Sequence, residues 1–177
     1  MFEELLKLAR ENIKSKLEGN KLVVEDNIKK KFRDNGACFV TLTINNELRG
    51  CIGSLESFQA LYQDVIDNSI HAAFEDPRFL PLNKKEFDKI KIEISILSKP
   101  VKLEYKDEID LLNKINNEMG LILKRGFYSA TFLPQVWEDL PDKINFLEHL
   151  SRKAGLSKDA WKKADFMFYN VEKIKEK

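Results

Sequence analysis

The sequence is poor in cysteine and histidine and has no long apolar run. Its 177 residues include 2 cysteines and 2 histidines. Neither pair has the spacing of metal ligands, so we expect no structural metal and no cofactor. Two cysteines without a paired pattern are typical of a reducing compartment, which predicts a cytoplasmic protein. No segment approaches the ~20 apolar residues of a membrane-spanning helix. The acidic start, Met1-Phe2-Glu3-Glu4, is unlike a signal peptide.

An excess of either charge is also missing. The chain has 30 Lys and Arg residues against 29 Asp and Glu residues, a formal net charge of +1. We therefore expect neither a membrane surface nor a specific nucleic acid as a partner. The basic run at residues 28–33 is interpreted as a solvated helix face rather than an anion-binding patch. A chain of this length suits one compact domain with room for two lobes.

Periodicity and turn residues predict a mixture of helices and hairpins. Helices are predicted at residues 3–18, 58–74, 107–117, 142–154 and 157–163, with Ser57 as the cap of the second. Strands are predicted at residues 38–44, 47–52, 90–97, 121–124, 127–132 and 166–171, with a strand edge or bulge at residues 133–136. Because most strands form hairpins, we predict an α+β fold with an antiparallel or mixed sheet and flanking helices.

The segment most suggestive of chemistry surrounds Cys51. Residues i and i+2 of a strand share a face, so Arg49 is expected beside Cys51. A neighbouring guanidinium lowers the pKa of a thiol, which would make Cys51 a nucleophile. The alternative is a small buried hydrophobic residue. A further alternative is an anion-binding site whose donors belong to Arg49, Gly50, Gly53 and Ser54.

A second candidate segment is Asp76-Pro77-Arg78-Phe79, which follows the predicted helix. Asp76 is a candidate base or a group that orients Arg49, and we expect Arg49, Asp76 and Arg78 to form one polar cluster. The alternative is a local turn in which Asp76 and Arg78 pair with each other.

Two further pairings involve the few cysteines and histidines. His71 is a candidate partner of Cys51 in a catalytic dyad, although a single histidine on a helix is more often structural or exposed. His149 has the same alternative. A disulfide between Cys38 and Cys51 requires their strands to pair, and we favour free thiols instead.

With these segments in view, the chain resembles a known family. Leu48-Arg49-Gly50-Cys51-Ile52-Gly53 is similar to the hallmark hexapeptide of the AMMECR domain family. Further similar segments lie in the same order and extend over nearly the whole chain, at residues 36–42, 72–79, 92–98, 132–136, 152–156 and 160–161. His71 does not lie on a family motif position, and residues 124–130 replace a shorter turn rich in glycine and arginine.

The resemblance implies two unequal subdomains around a cleft, the larger containing both termini, with the hexapeptide near the cleft. It also implies a place in the AmmeMemoRadiSam system, with a Memo-like protein and a radical SAM protein as candidate partners. The family positions that carry over as candidate ligand-binding residues are Arg49, Gly50, Gly53, Arg78 and Gln135, with Cys51 and Asp76 as candidate catalytic residues.

Two functions remain open at this stage. The first is a binding module whose cleft holds a small molecule, a peptide or a partner protein. The second is an enzyme or enzyme component in which Cys51 is a reactive thiol, Arg49 its activator and Asp76 a base. We favour binding, because the sequence provides no dependable general base beside the thiol.

Overall fold

A computed structural model describes residues 2–177, and within it the chain forms two compact units. The first unit comprises the residues up to Leu97 together with Glu172–Lys177, and the second comprises Ser98–Val171. Each unit contains its own sheet with accompanying helices, so the fold is α+β, as predicted. No helix within residues 2–177 is both long enough and apolar enough to cross a membrane.

Before the chain enters the second unit, the first unit contains five helical segments and four strands. Its helices are α1 (Glu3–Glu18), α2 (Asp26–Lys31), α3 (Leu61–Ile70), a π-helix (His71–Glu75) and α4 (Lys84–Phe87). Its strands are β1 (Asn35–Ile44), β2 (Glu47–Gly53), β3 (Gln59–Ala60) and β4 (Ile90–Leu97). The predictions of a helix at residues 3–18 and of strands at 38–44, 47–52 and 90–97 are confirmed to within a few residues at the ends.

The second unit has a four-stranded sheet and three α-helices. Its strands are β5 (Val101–Lys102), β6 (Gly120–Arg125), β7 (Tyr128–Phe132) and β8 (Asp165–Tyr169), in the order β5-β8-β6-β7. Its helices are α5 (Glu108–Lys114), α6 (Val136–Asp139), α7 (Lys143–Lys153) and a 3-10 helix (Lys158–Lys163). The core includes Trp137 stacked on Phe146, with ring centroids 3.7 Å apart.

The chain then returns to the first sheet as β9 (Val171–Lys175), which gives the order β2-β1-β4-β9, with β3 paired to β1. One face of this sheet is the isoleucine face of β4, where Ile92 and Ile94 are fully buried. Helix α1 contributes Leu5, Ala9 and Ile13 to the same core. The alternation along β4 therefore predicted correctly which side faces the interior.

Three predicted elements are wrong in detail. Ser57 does not cap a helix: α3 starts at Leu61, after a short pairing of β3 with β1, and the helix widens into the π-helix before Asp76. Residues 133–136 form a turn and the start of α6 rather than a strand edge, because the carbonyl of Pro134 accepts the N–H of Trp137. The last predicted strand, at residues 166–171, corresponds to β8 but ends two residues too late, because β8 ends at Tyr169 and Val171 already belongs to β9 in the first sheet.

Candidate functional site

The hexapeptide lies on β2, the edge strand of the first sheet. β2 pairs antiparallel with β1 through the turn Asn45-Asn46, whose φ values are 53° and 67°. Positive φ at both central residues is typical of a type I′ hairpin turn. The predicted hairpin is confirmed, and Cys38 and Cys51 are both free thiols.

Arg49 occupies a β-bulge, and this changes its expected neighbour. Leu42 pairs with Gly50 while Thr43 pairs with Leu48, so Arg49 has no partner residue on β1. A bulge redirects the side chains on either side of it, so the i, i+2 rule that placed Arg49 beside Cys51 does not apply.

The Arg49 guanidinium is bound instead by Glu86 of α4. Nε donates to Oε1 at 2.9 Å, Nη2 donates to Oε2 at 3.1 Å, and Nη2 also donates to the carbonyl of Leu80 at 2.8 Å. The Arg49 side chain is 13% exposed and that of Glu86 is 27% exposed. The hydrogen bonds from Arg49 hold the pKa of Glu86 below its ordinary value. This ion pair was not predicted, although Asn83-Lys84-Lys85-Glu86 has the spacing of the capping box that starts α4.

Asp76 and Arg78 bind the backbone of Cys51. The Cys51 N–H donates to Asp76 Oδ2 at 2.9 Å, and Arg78 Nη2 donates to the Cys51 carbonyl at 3.1 Å. Arg78 also donates to Asp76 from Nε at 2.9 Å and from Nη2 at 2.7 Å. Since β2 is an edge strand, these two side chains take the place of a neighbouring strand at this residue.

The environment of Asp76 suits an ionised acceptor rather than a base. Asp76 is 3% exposed. The hydrogen bonds from Arg78 lower its pKa well below the ordinary value, with a smaller contribution from the Cys51 N–H. The expected cluster of Arg49 with Asp76 is replaced by two separate ion pairs, Arg49–Glu86 and Arg78–Asp76. The two guanidiniums meet at the ring of Phe79, 5.7 Å and 5.6 Å from its centroid.

The two glycines of the hexapeptide allow close packing within the protein. A Cβ at Gly50 would lie 2.1 Å from the carbonyl oxygen of Ala72 in the π-helix. A Cβ at Gly53 would lie 2.3 Å from the ring of Phe39. The backbone of β2 thus approaches the π-helix as closely as only glycine permits. Ligand binding by these glycines stays a prediction.

The Cys51 thiol faces a polar row on the side of the sheet opposite the isoleucines. Thr41 Oγ1 donates to Cys51 Sγ at 3.2 Å, and Thr41 is paired with Cys51 on one side and with Glu93 on the other. Among residues 2–177, no hydrogen bond joins Cys51 to His71, which lies 3.7 Å from Glu75 instead. The structure therefore gives no support to a Cys51–His71 dyad.

Ser54 belongs to a buried polar network that was not predicted. Its Oγ donates to Asp64 Oδ1 at 2.7 Å and accepts from Asn68 Nδ2 at 3.1 Å. Asp64 Oδ2 accepts the Cys38 N–H at 2.8 Å. Burial, followed by the charge of Asp64, raises the pKa of Cys38 well above its ordinary value, which suits an inert thiol. The sequence signal that could have predicted this network is the i, i+4 spacing of Asp64 and Asn68 on the inner face of α3.

The remaining candidates lie elsewhere. Gln135 is in the second unit, exposed, in the turn before α6. His149 Nδ1 donates to the carbonyl of Asn145 at 2.9 Å, a contact within one helix. No group of three or more metal-ligating side chains occurs in the part of the chain that the structure describes.

Comparison with known proteins establishes the family. A two-unit α+β chain with this hexapeptide on an edge strand matches the AMMECR1 family model over residues 6–174. The chain belongs to the AMMECR1 family, as the resemblance of its motifs implied.

Relatives and one solved structure support this assignment. A protein of Nanoarchaeum equitans is 41% identical, with 89% of each chain covered. A protein of Aquifex aeolicus is 38% identical, with 95% of this chain and 88% of that one covered. The crystal structure of uncharacterized protein PH0010 from Pyrococcus horikoshii matches with a TM-score of 0.80 and 32% identity, covering 99% of this chain and 91% of that chain.

Proposed function

We propose that this AMMECR1-family protein is a binding module whose recognition surface is formed by β2 and the turn at residues 76–80. One observation carries the proposal: the two carboxylates around the hexapeptide, those of Asp76 and Glu86, are already bound within the protein. Arg49 is held by Glu86, and the Asp76 carboxylate is held by Arg78 and the Cys51 N–H. A general base needs an available lone pair facing the nucleophile, and neither carboxylate offers one to the thiol.

The exposed groups on these two segments suit a protein partner. Leu48 is 44% exposed and Leu80 is 83% exposed, while the Arg78 side chain is 54% exposed. Arginine is enriched at protein interfaces, and burial of the exposed leucines beside it would provide affinity. Each guanidinium already has a carboxylate partner. A strong anion clamp is therefore a weaker interpretation than apolar contact.

The candidate partners are the Memo-like and radical SAM proteins that the family resemblance implies, in the cytoplasm. Two free cysteines suit that location. A small molecule or peptide in a cleft remains an alternative ligand.

The test is isothermal titration of the chain with a purified Memo-like protein and a purified radical SAM protein from the organism that encodes it. Leu80→Ser should weaken binding about tenfold, because a large apolar side chain loses its burial. Val23→Ser is the matched control, since Val23 is also 83% exposed but lies away from these segments in sequence, between α1 and α2. Binding by neither protein, or equal loss in both variants, would contradict the proposal.

A second candidate function is an enzyme component that uses the Cys51 thiol. The observation in its favour is that the thiol has a polar neighbour, the Thr41 hydroxyl, which donates to Sγ at 3.2 Å. The test is the rate of alkylation by iodoacetamide between pH 6 and pH 9, with Thr41→Val as the variant. Buried Cys38 serves as an internal control. A rate above that of free cysteine at neutral pH, reduced in Thr41→Val, would favour this function.

A further inference from the structure

The sheet of the second unit ends in an edge strand with open backbone groups. β7 pairs with β6 and is last in the order β5-β8-β6-β7. Arg125 pairs with Tyr128, so the loop between these strands is the two residues Gly126 and Phe127. A hairpin of this kind closes with a hydrogen-bonded pair, and such pairs alternate along the ladder. Ser129 and Thr131 therefore direct their N–H and C=O groups away from β6.

A lysine contact supports this orientation. Lys153 Nζ of α7 donates to the carbonyl of Thr131 at 2.9 Å, which requires that this carbonyl point off the sheet. In the hydrogen bonds among residues 2–177, the N–H and C=O of Ser129 and the N–H of Thr131 have no partner. Ser129 is exposed and Thr131 is half-buried, so an incoming strand can reach these groups.

The surroundings of this edge are basic and aromatic. Phe127, at the tip of the hairpin, is fully exposed and Tyr128 is 54% exposed. Lys153 Nζ lies 4.9 Å from the centroid of Phe132, which shares a face of β7 with Tyr128. Arg125, paired with Tyr128, is on the same face. Within the four strands of this sheet the one acidic residue is Asp165, which pairs with Lys124 on the opposite face.

We propose that β7 is a docking edge for an extended acidic segment of a partner protein, which adds to this sheet as a fifth strand. The backbone of an added strand would bind the open groups of Ser129 and Thr131. Every second side chain of the added strand would lie on the face of Tyr128 and Lys153, with Arg125 one strand beyond on the same face, so acidic residues at alternate positions match the charge of this face.

A second copy of this chain is the less suitable occupant. Antiparallel pairing of two β7 edges would place the basic residues of both chains, Arg125 and Lys153, on shared faces of one joined sheet, and like charges across a strand pair destabilise it. A lysine on an edge strand commonly discourages such self-pairing. The same charges attract an acidic strand.

The test uses the full chain labelled with ¹⁵N and a synthetic, terminally blocked peptide of alternating glutamate and valine. We expect the peptide to shift the amide resonances of Ser129 and Thr131 and to slow their hydrogen exchange. The matched control replaces every glutamate of the peptide with lysine and should not bind. Absence of binding at millimolar peptide, or equal binding of the two peptides, would overturn the proposal.

Two substitutions separate backbone pairing from charge attraction. Ser129→Pro removes only an N–H that points off the sheet, which an edge strand tolerates, and should weaken binding about tenfold. Ser129→Ala keeps the N–H and should bind as the unmodified chain does. Lys153→Gln should weaken binding about threefold at low salt and reduce its salt dependence.

Each possible result of these experiments either supports strand addition or overturns it. Unchanged affinity in Ser129→Pro overturns strand addition. If Ser129→Pro does not fold, amide exchange in the unmodified chain decides: unprotected Ser129 and Thr131 amides in the peptide complex overturn the proposal, and protected ones support it. Protection of the same amides in the concentrated chain without peptide, with dimers in sedimentation, would show self-pairing and also overturn it.

Discussion

The ion pair between Arg49 and Glu86 allows a test of what Arg49 does in this protein. The Arg49 and Glu86 side chains are 13% and 27% exposed, so this pair is intermediate in burial. A surface pair stabilises a protein by about 0–1 kcal/mol, whereas disruption of a buried pair costs about 3–5 kcal/mol. Arg49→Met keeps the aliphatic stem and removes three donated hydrogen bonds. We expect it to lower the free energy of unfolding by about 2 kcal/mol.

A double-mutant cycle identifies the partner. Glu86→Gln keeps a side chain able to cap α4 and should cost about 1 kcal/mol, the size of one charge-assisted hydrogen bond weakened. The double variant should cost about 1 kcal/mol less than the sum of the two, because the same pair is lost in each. The corresponding cycle of Arg49→Met with Asp76→Ala should be nearly additive. Coupling of Arg49 with Asp76 as large as that with Glu86 would refute this account and restore the single cluster predicted from the sequence.

The assay must report on the first unit. Both tryptophans, Trp137 and Trp161, lie in the second unit, so their fluorescence is a poor measure of changes at Arg49. Urea unfolding followed by far-ultraviolet circular dichroism includes the helices of the first unit. A loss of about 2 kcal/mol corresponds to a fall in Tm of roughly 4–8 °C for a chain of this size.

Two further predictions concern the neighbours of Cys51. Gly50→Ala places a methyl group 2.1 Å from the backbone oxygen of Ala72 and should destabilise the protein by about 3 kcal/mol, measured by the same unfolding assay; Gly126→Ala, where a Cβ meets open space but φ is +60°, should cost only about 1 kcal/mol. Asp76 has its pKa lowered in the folded state below the ordinary value of 3.8, so its stabilisation is present above that value and is lost as pH falls through it. The measurement is urea unfolding between pH 7 and pH 3. Asp76→Asn should be about 2 kcal/mol less stable than the unmodified chain at pH 7 and should lose less stability in acid. Parallel pH profiles of the two proteins would contradict this.

The elements that were predicted correctly are those in which local pattern and tertiary environment agree. The alternation from Ile90 to Leu97 places the isoleucines inside, and Asn45-Asn46 supports the positive φ values that its hairpin needs. The periodic segment at residues 3–18 is one helix. In each case a short-range pattern favours the same backbone conformation that the tertiary structure requires, so tertiary contacts do not override the local preference.

The predictions that failed depend on contacts distant in sequence. The helix predicted at residues 58–74 is divided, because Gln59 and Ala60 pair with β1 and the last turns widen to place a carbonyl against Gly50. Arg49 was placed beside Cys51 by strand alternation, but a bulge turns it towards Glu86, 37 positions along the chain. Neither the bulge nor the partner leaves a periodic signal.

The contacts around Cys51 are linked to one another, so a substitution at one of them is expected to affect the others. Gly50 admits the carbonyl of Ala72, which fixes the π-helix against β2. The π-helix ends at Asp76, whose carboxylate binds the N–H of Cys51, the residue after Gly50. A substitution at any of these positions is therefore expected to move the Cys51 thiol, even if the substituted residue takes no part in chemistry. Loss of function in such a variant distinguishes a reactive thiol from a structural motif only when stability is measured alongside it. Leu80 and the outward N–H of Ser129 do not belong to this set of linked contacts. A loss of binding in Leu80→Ser or Ser129→Pro at unchanged stability is therefore direct support for a recognition surface at that position.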